Sequence, residues 1–214
     1  MWRERERRRV WAITPGGSVQ EAEIPRQVLI TKVGLKYNVR NRSLGSERES
    51  DMAKYSKEQI DAAIDAAMEV FGLESLKHQQ REAIREFASG RDVFVALPTG
   101  FGKSYCFALL PTVFDRLRAG KDPSIVVCVS PLTALMMEQR DKLCTRGLLA
   151  EFVGELQQDI SAMKGVESGR YQVVYISPEA LLLNPQWREM LLSNTYRENL
   201  VAFVIDEAHC ITKW

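Results

Sequence analysis

An apolar segment followed by a glycine-containing loop and a Lys-Ser pair restricts the fold more than any other feature of this sequence. Val93–Leu97 is apolar, Pro98–Gly102 contains two glycines, and Lys103 and Ser104 open a stretch that can be helical. This order is typical of a strand, a phosphate-binding loop and the N-terminus of a helix. Glycines suit such a loop because backbone N–H groups approach phosphate oxygens closely where no Cβ intervenes.

The chemistry of this loop predicts a nucleotide site. The first N–H groups of a helix have no partner within the helix and attract an anion. The Lys103 ammonium can contact the outer phosphates, and the Ser104 hydroxyl suits Mg²⁺. The usual pattern also has a glycine where Leu97 stands, so an ordinary loop is an alternative at this point. The predicted phosphate-binding residues are Thr99, Gly100, Phe101, Gly102, Lys103 and Ser104.

Composition excludes several classes of protein. Hydrophobic residues make up 45% and charged residues 27% of the 214 residues, as in globular proteins. No apolar run approaches the roughly 20 residues of a membrane span, and the N-terminus has no secretion pattern. Four cysteines without a Cys-x-x-Cys pair and only two histidines argue against a zinc site and favour a reducing compartment.

The charge distribution suggests the domain organisation. Residues 1–50 carry a net charge of +5, whereas the whole chain carries +1, so we expect any nucleic-acid contact to be local. We interpret residues 1–51 as a basic, disordered N-terminal extension outside the domain, in which Val28–Val33 can form one short strand. Residues 52–90 are interpreted as a helical segment and residues 91–214 as an α/β domain.

From about Tyr55 onward the sequence alternates between helix and strand patterns. Ser56 can cap a helix that ends at Gly72, and a second helix spans Lys77 to Ala88. The predicted strands are Val93–Ala96, Ile125–Val129, Leu149–Val153, Gln172–Ile176 and Leu200–Ile205. The predicted helices between them are Lys103–Arg118, kinked or restarted at Pro111, then Leu132–Arg146, Gln157–Lys164, Pro178–Leu183 and Pro185–Leu192. This alternation predicts an α/β fold with a parallel sheet.

Polar motifs follow four of the predicted strands. Besides the loop after the first strand, they begin at Ser130, Ser177 and Asp206. Because the carboxyl ends of parallel strands share one edge of the sheet, where ligands bind, we expect the four motifs to converge.

The last motif, Asp-Glu-Ala-His, supplies the chemistry that the loop lacks. Asp206 can hold Mg²⁺ opposite Ser104. Glu207 can orient and deprotonate an attacking water, and His209 can link the nucleotide site to whatever binds beside it. An acidic helix N-terminus is the alternative for this tetrapeptide alone. The predicted catalytic residues are Lys103, Asp206, Glu207 and His209, and the predicted metal ligands are Ser104 and Asp206.

Taken together, these motifs resemble those of superfamily 2 helicases. Cys210 and Trp214, which extend the Asp-Glu-Ala-His motif, match the corresponding extension in RecQ-like DNA helicases. Upstream, the segment from Phe71 to Gln80 looks like the adenine-reading motif of the same family. The resemblance covers about residues 71–214.

The resemblance implies a set of nucleobase contacts. Gln80 would hydrogen-bond the base edge, with Phe71 and Gly72 shaping the turn before it and Lys77 beside it. The family usually has an aromatic residue where Leu73 stands and an arginine where Lys77 stands. An ammonium does not stack on adenine as a guanidinium does, so weaker base selectivity is expected. Core packing of Phe71 and a helix-surface position of Gln80 are the alternatives.

The resemblance also implies contacts with the backbone of a DNA strand. Helix capping is the alternative for these residues, because serine and proline at a helix start serve both purposes. The implied DNA contacts are Pro131, Leu132, Thr133, Ser177, Pro178 and Glu179.

The implied fold is a P-loop, RecA-like parallel sheet flanked by helices, with a helical N-terminal appendage. It corresponds to the first helicase lobe, C-terminally truncated. The implied function is that of the ATP-binding lobe of a 3′→5′ DNA helicase that uses ATP and Mg²⁺. The family expectation is a nuclear location in a eukaryote and a cytoplasmic one otherwise.

Two other functions are alternatives to this interpretation. One is a truncated nucleotide-binding or interaction module without activity, and the other is an RNA helicase. The second lobe and its arginine finger are expected as partners but are absent from this sequence. Since that arginine typically contributes about 10³–10⁵ in rate, we expect negligible hydrolysis by these residues alone.

Overall fold

A mixed sheet with helices on both faces forms the centre of the computed structural model, which describes residues 10–13, 27–31, 55–118 and 122–208. The strands are β1 Val10–Ile13, β2 Gln27–Thr31, β3 Asp92–Ala96, β4 Ile125–Val129, β5 Ala150–Val153, β6 Val173–Ile176 and β7 Leu200–Ile205. The helices are α1 Lys57–Val70, α2 His78–Ala88, α3 Tyr105–Ala108, α4 Leu110–Arg118, α5 Thr133–Cys144, α6 Ile160–Glu167, α7 Pro178–Leu183, α8 Pro185–Leu192 and α9 Asn194–Asn199.

The strand order within the described residues is β1-β3-β2-β7-β4-β6-β5. Strands β7, β4, β6 and β5 pair in parallel, and β1 pairs in parallel with β3. Every residue of β4, β5 and β6 is buried. The apolar sequences of β4 and β6 are typical of strands covered on both faces, whereas β5 also buries the charged Glu151. The predicted α/β fold is confirmed. The five strands predicted from residue 93 onward lie within one residue of those observed, whereas the predicted strand Val28–Val33 ends two residues beyond β2, and β1 was not predicted.

The second strand, β2, differs from the sequence interpretation. It lies in the interior of the sheet, antiparallel to β3 on one side and to β7 on the other. Leu29 pairs with Phe94 and also with Ile205. We had expected residues 1–51 to lie outside the domain, but β1 and β2 both belong to the sheet. Without β2, the facing edges of β3 and β7 would carry unpaired backbone N–H and C=O groups. The five residues of β2 pair with both of these edges.

Local sequence explains where several helices begin. Ser56 caps α1 as predicted, and its side chain forms a capping box with Gln59. The chain restarts a helix at Leu110, one residue before Pro111, as the missing N–H of proline favours. Helix α6 begins at Ile160, three residues later than predicted, because the Asp159 side chain accepts hydrogen bonds from two N–H groups of its first turn.

The helical segment before β3 packs into the same core as the sheet. Ile60 and Ile64 of α1 belong to one hydrophobic cluster with Phe114 of α4 and Val93 of β3. An ion pair of 2.6 Å between Arg85 and an α1 aspartate joins α2 to α1. Ion pairs between part-exposed side chains contribute little, so the apolar contacts hold this segment in place.

The two faces of the sheet carry different helices. Helices α1 to α5 cover one face, where the Phe107 ring meets the Tyr175 ring edge-on at 6.4 Å. Trp187, Met190 and Tyr196, from α8 and α9, pack on the other face. Helix α9 was not predicted, although Ser193 caps it. None of the helices in the described ranges combines the length and apolar character needed to cross a bilayer.

Candidate functional site

The loop after β3 has the backbone shape that its glycines allow. Gly100 and Gly102 have φ angles of 79° and 85°, in the left-handed region that other residues rarely adopt. A Cβ added to Gly102 would also lie 2.7 Å from Nε2 of Gln80. Gly102 is therefore favoured by its backbone conformation, and a side chain there would also displace the amide end of Gln80.

Lys103 lies across the loop that precedes it. Its Nζ donates to the carbonyl oxygens of Leu97 at 2.8 Å and Pro98 at 3.1 Å. Ser104 follows immediately and leads into α3, and its side chain makes no capping hydrogen bond. The predicted phosphate-binding cation and the predicted metal-binding hydroxyl therefore sit side by side at the start of α3.

The Gln80 side chain supports this loop through hydrogen bonds. It is only 4% exposed, and its Nε2 donates to the carbonyl oxygens of Phe101 and Gly102, both at 3.0 Å. Its Oε1 accepts from the backbone N–H of Lys77 at 2.9 Å. Gln80 therefore lies in the interior rather than on the helix surface, with its amide nitrogen hydrogen-bonded to two carbonyls of the loop.

Lys77 and Phe71, the other residues of the upstream motif, are also held by the protein. The Lys77 ammonium donates to the Phe101 carbonyl at 3.2 Å and lies 4.0 Å from the centre of the Phe101 ring. Phe71 is buried in the core, which was the structural alternative for this residue. Its carbonyl accepts from Arg146 at 2.9 Å.

Asp206 and Glu207 lie at the carboxyl end of β7. The Asp206 N–H donates to the Val129 carbonyl at 2.8 Å, and Asp206 Oδ1 accepts from the Glu207 N–H at 3.0 Å. Asp206 is buried. The neighbouring Cys128 thiol is also buried, and this burial, together with the charge of Asp206, raises the pKa of the thiol. Glu207 has a φ angle of 52°, a strained conformation of the kind that clusters at functional sites. His209 lies outside the described residues.

The sheet brings the loop and the acidic pair to the same edge. Strands β3 and β7 run in the same direction with only β2 between them, so their axes are about 10 Å apart. Through β2, Ile205 is level with Phe94, so both strands end at a similar height. Burial and the charge of Cys128 and Asp206 raise the pKa of Tyr175, which packs against Phe107 of the helix after the loop. Val204, two residues before Asp206, packs in the same cluster as Phe107 of α3. Because alternate residues of a strand point to the same face, we expect the Asp206 carboxylate on the face that carries α3.

The two motifs predicted to contact DNA have different local structures. Ser177 caps α7, since its Oγ accepts from the Ala180 N–H at 3.1 Å, and Pro178 follows in the first turn. Helix α5 instead begins after Leu132, which is 55% exposed and makes no side-chain capping bond. The capping alternative therefore describes Ser177, whereas the first N–H groups of α5 lack a side-chain cap.

Two residues near the site, Tyr105 and Arg146, were missed by sequence reasoning, and a third, Ser130, was named only as the start of a polar motif. Ser130 follows Val129, the register partner of Ile205, so it lies level with Asp206; its Oγ is buried and has no hydrogen-bond partner among the described residues. Tyr105 and Arg146 line a cavity that adjoins Gly102. No spacing rule could identify Arg146, because the carbonyl that it binds lies 75 residues earlier in the chain.

Comparison with known proteins identifies the family. The chain matches the family described as DEAD/DEAH box helicase over residues 77–214, which is more than half of its length. It is 37% identical over 146 residues to ATP-dependent DNA helicase Q-like SIM of Arabidopsis thaliana, covering 67% of this chain and 16% of that protein. It is 33% identical over 156 residues to ATP-dependent DNA helicase RecQ of Haemophilus influenzae, covering 71% of this chain and 23% of that protein.

A third relative is RecQ-like DNA helicase blm-1 of Caenorhabditis elegans, 31% identical over 155 residues, covering 70% of this chain and 15% of that protein. The chain thus spans less than a quarter of the length of these relatives. The matched segment contains the loop, the acidic pair and both motifs after β4 and β6. The chain belongs to the DEAD/DEAH box helicase family and, within it, to the RecQ-like DNA helicases.

Proposed function

We propose that this chain binds ATP with Mg²⁺ and couples it to a single DNA strand, as the ATP-binding lobe of a 3′→5′ DNA helicase. The observation that carries the proposal is the common sheet edge of two distant motifs. A glycine-shaped loop with Lys103 ends β3, and a buried carboxylate ends β7. A cationic loop and a buried carboxylate on the same edge are the complementary halves of a metal–phosphate site.

The residues at this edge fit a Mg²⁺-bound triphosphate. The loop N–H groups and Lys103 would hold the phosphates, while Ser104 and Asp206 would hold the metal, whose charge helps to neutralise the phosphates. Lys103 now donates to two loop carbonyls, which shows that an ammonium reaches across the loop. The strained Glu207 would act as the base that orients and deprotonates a water, with His209 linking this site to the DNA side.

The DNA side of the proposal rests on the start of α5. Its first backbone N–H groups lack a side-chain cap, and hydroxyls and free N–H groups suit a phosphate of the strand. We therefore assign Pro131, Leu132 and Thr133 to direct contact with the backbone of the DNA strand. Ser177, Pro178 and Glu179 would shape the adjoining loop, because the Ser177 hydroxyl already accepts the Ala180 N–H.

Titration with a fluorescent ATP analogue in the presence of Mg²⁺ tests the nucleotide assignment. Lys103→Ala should weaken binding at least tenfold, since a charge-assisted contact with phosphate is worth about 1.5–3 kcal/mol. Lys164→Ala is the matched control, because Lys164 is an exposed lysine on α6. Equal affinities of the Lys103→Ala and Lys164→Ala variants would refute the phosphate role.

A further inference from the structure

Ser130 is a buried serine whose hydroxyl has no hydrogen-bond partner within the part of the chain that the structure describes. The residue is 1% exposed, and its Oγ is out of contact with solvent. An unpaired buried hydroxyl destabilises a fold, because it loses its hydrogen bonds to water without gaining others. Alanine would fill the same position without this cost. The hydroxyl at residue 130 therefore needs an explanation other than packing.

The position of Ser130 in the sheet points to the metal side of the candidate site. Val129 pairs with Ile205 in the parallel ladder of β4 and β7, and the Asp206 N–H donates to the Val129 carbonyl at 2.8 Å. The next residues, Ser130 and Asp206, are therefore level at the carboxyl edge of the sheet. Neighbouring strands lie about 4.8 Å apart, so one ligand oxygen or one water can bridge the two side chains.

The alternation of side chains along β4 and β7 indicates which face Ser130 and Asp206 share. Cys128 lies two residues before Ser130, in the hydrophobic cluster that contains Phe107 of α3. Val204, two residues before Asp206, belongs to the same cluster. Because alternate residues of a strand point to one face, we expect the hydroxyl and the carboxylate on the face that carries α3. The phosphate loop leads into α3, so all three groups border one space.

The polar side chain on the other side of Ser130 is already used by the fold. Val129 also pairs with Ile176, so Ser177 is level with Ser130 on the next strand, β6. The Ser177 Oγ accepts from the Ala180 N–H and thereby caps α7. The Ser130 hydroxyl makes no such bond, so it can serve a group that binds in the site.

We propose that Ser130 is a positioning residue for the metal, an inference that rests on the proposed Mg²⁺–nucleotide site. Its hydroxyl donates a hydrogen bond to the oxygen ligands that gather around the metal at Asp206. Hydrogen bonds of this kind orient the carboxylates that bind a metal. They matter most for Mg²⁺, which demands nearly ideal octahedral geometry. The ligands of the metal thus supply the partner that the described residues do not.

The Mg²⁺ dependence of ATP affinity measures this role. Titrations of a fluorescent ATP analogue with and without Mg²⁺ give the Mg²⁺ effect, which is the ratio of the two affinities. Ser130→Ala should reduce the Mg²⁺ effect about fivefold, as expected for the loss of one hydrogen bond. Affinity without Mg²⁺ should change less than about twofold, because Lys103 and the loop are unchanged.

Ser124→Ala is the matched control. Ser124 is also 1% exposed, and its Oγ also lacks a hydrogen-bond partner among the described residues. It lies just before Ile125, however, at the end of β4 opposite to Asp206. Both alanine variants should melt at or above the temperature of the wild type, since each loses an unpaired buried hydroxyl. Only Ser130→Ala should reduce the Mg²⁺ effect.

A second pair of variants makes the test independent of packing. Ser130→Thr and Ser130→Val introduce side chains of the same shape, so any strain from the added methyl group is common to both. Threonine keeps the hydroxyl and valine lacks it. The Mg²⁺ effect should therefore be at least about threefold larger in Ser130→Thr than in Ser130→Val.

The outcomes distinguish this inference from the proposed function. If Asp206→Asn loses the Mg²⁺ effect while Ser130→Ala retains it in full, the Ser130 assignment is wrong and the metal site stands. Equal losses in Ser130→Ala and Ser124→Ala, or equal Mg²⁺ effects in Ser130→Thr and Ser130→Val, would also overturn the assignment.

Two further results would contradict the role of Ser130. An unchanged Mg²⁺ effect in Ser130→Ala, together with weaker binding of single-stranded DNA in the absence of nucleotide, would assign the hydroxyl to the DNA strand instead. If the wild type shows no Mg²⁺ effect, the metal site fails and the role of Ser130 fails with it.

Discussion

Gly102 is the residue on which the shape of the candidate site depends most. Its φ of 85° lies in the left-handed region, and Nε2 of Gln80 lies 2.7 Å from the position of an added Cβ. A side chain there must therefore strain the backbone and displace the amide that supports the loop. Gly147 has nearly the same φ, 84°, but its added Cβ would meet nothing within 4 Å.

Gly102→Ala should weaken binding of a fluorescent ATP analogue at least tenfold, whereas Gly147→Ala should leave it unchanged. Both variants should lose about 1–2 kcal/mol of stability from left-handed strain, measured by denaturant unfolding. Comparing the two separates backbone strain from displacement of Gln80. Normal nucleotide affinity in folded Gly102→Ala would contradict the role assigned to the contact between Gln80 and the loop.

The sequence predicted the residues of the loop better than their partners. The need for glycine at positions 100 and 102 followed from the chemistry of a phosphate-binding loop, and both residues have positive φ angles. The burial of Gln80 beneath the loop and the anchoring of Arg146 to Phe71 could not be predicted. Such contacts depend on how α2 and α5 pack in three dimensions, which no local pattern encodes.

At the scale of elements, β2 carries the clearest difference between sequence and structure. Its charged surroundings and lack of chemistry led us to place it outside the domain. The structure inserts it between the two strands that bear the loop and the acidic pair, and Ile30 is fully buried there. Pairing with distant strands decides the position of such a short segment, so the local sequence was a poor guide.

Ile30→Ala should therefore lower the free energy of unfolding by about 2–5 kcal/mol, the usual effect of truncating a buried isoleucine. Ile160→Ala is the control, because Ile160 is 64% exposed and should change stability by less than about 0.5 kcal/mol. Urea denaturation followed by circular dichroism measures both. Equal stabilities of the two variants would show that β2 is not an interior strand.

The N-termini of α5 and α7 differ in side-chain capping, so substitutions there should have different effects. Ser177→Ala should cost about 1 kcal/mol of stability through loss of a helix cap, with little effect on DNA affinity. Thr133→Ala should have the opposite profile: near-normal stability and a roughly three- to tenfold loss of affinity for single-stranded DNA. Fluorescence anisotropy with a labelled oligonucleotide and thermal melts of each variant provide the readouts. A reversal of the two profiles would assign the DNA contact to α7.

At the scale of the whole molecule, the account depends on two motifs that are far apart in the chain and meet at one sheet edge. Parallel strands with carboxyl ends at one edge follow from the α/β pattern, so this convergence was predictable from the sequence. The sequence did not reveal that β2 would separate β3 from β7 by two strand spacings, about 10 Å. A metal–triphosphate bound by both motifs would span that separation.

The Mg²⁺ dependence of nucleotide affinity, measured in the wild type and in Asp206→Asn, tests this central claim most directly. The account predicts that Mg²⁺ raises the affinity of the wild type for ATP about tenfold or more, and that Asp206→Asn reduces this effect to less than about threefold. Affinity without Mg²⁺ should be similar in both proteins, because Lys103 and the loop are unchanged. An undiminished Mg²⁺ effect in folded Asp206→Asn would contradict the claim that the loop and the carboxylate share one metal.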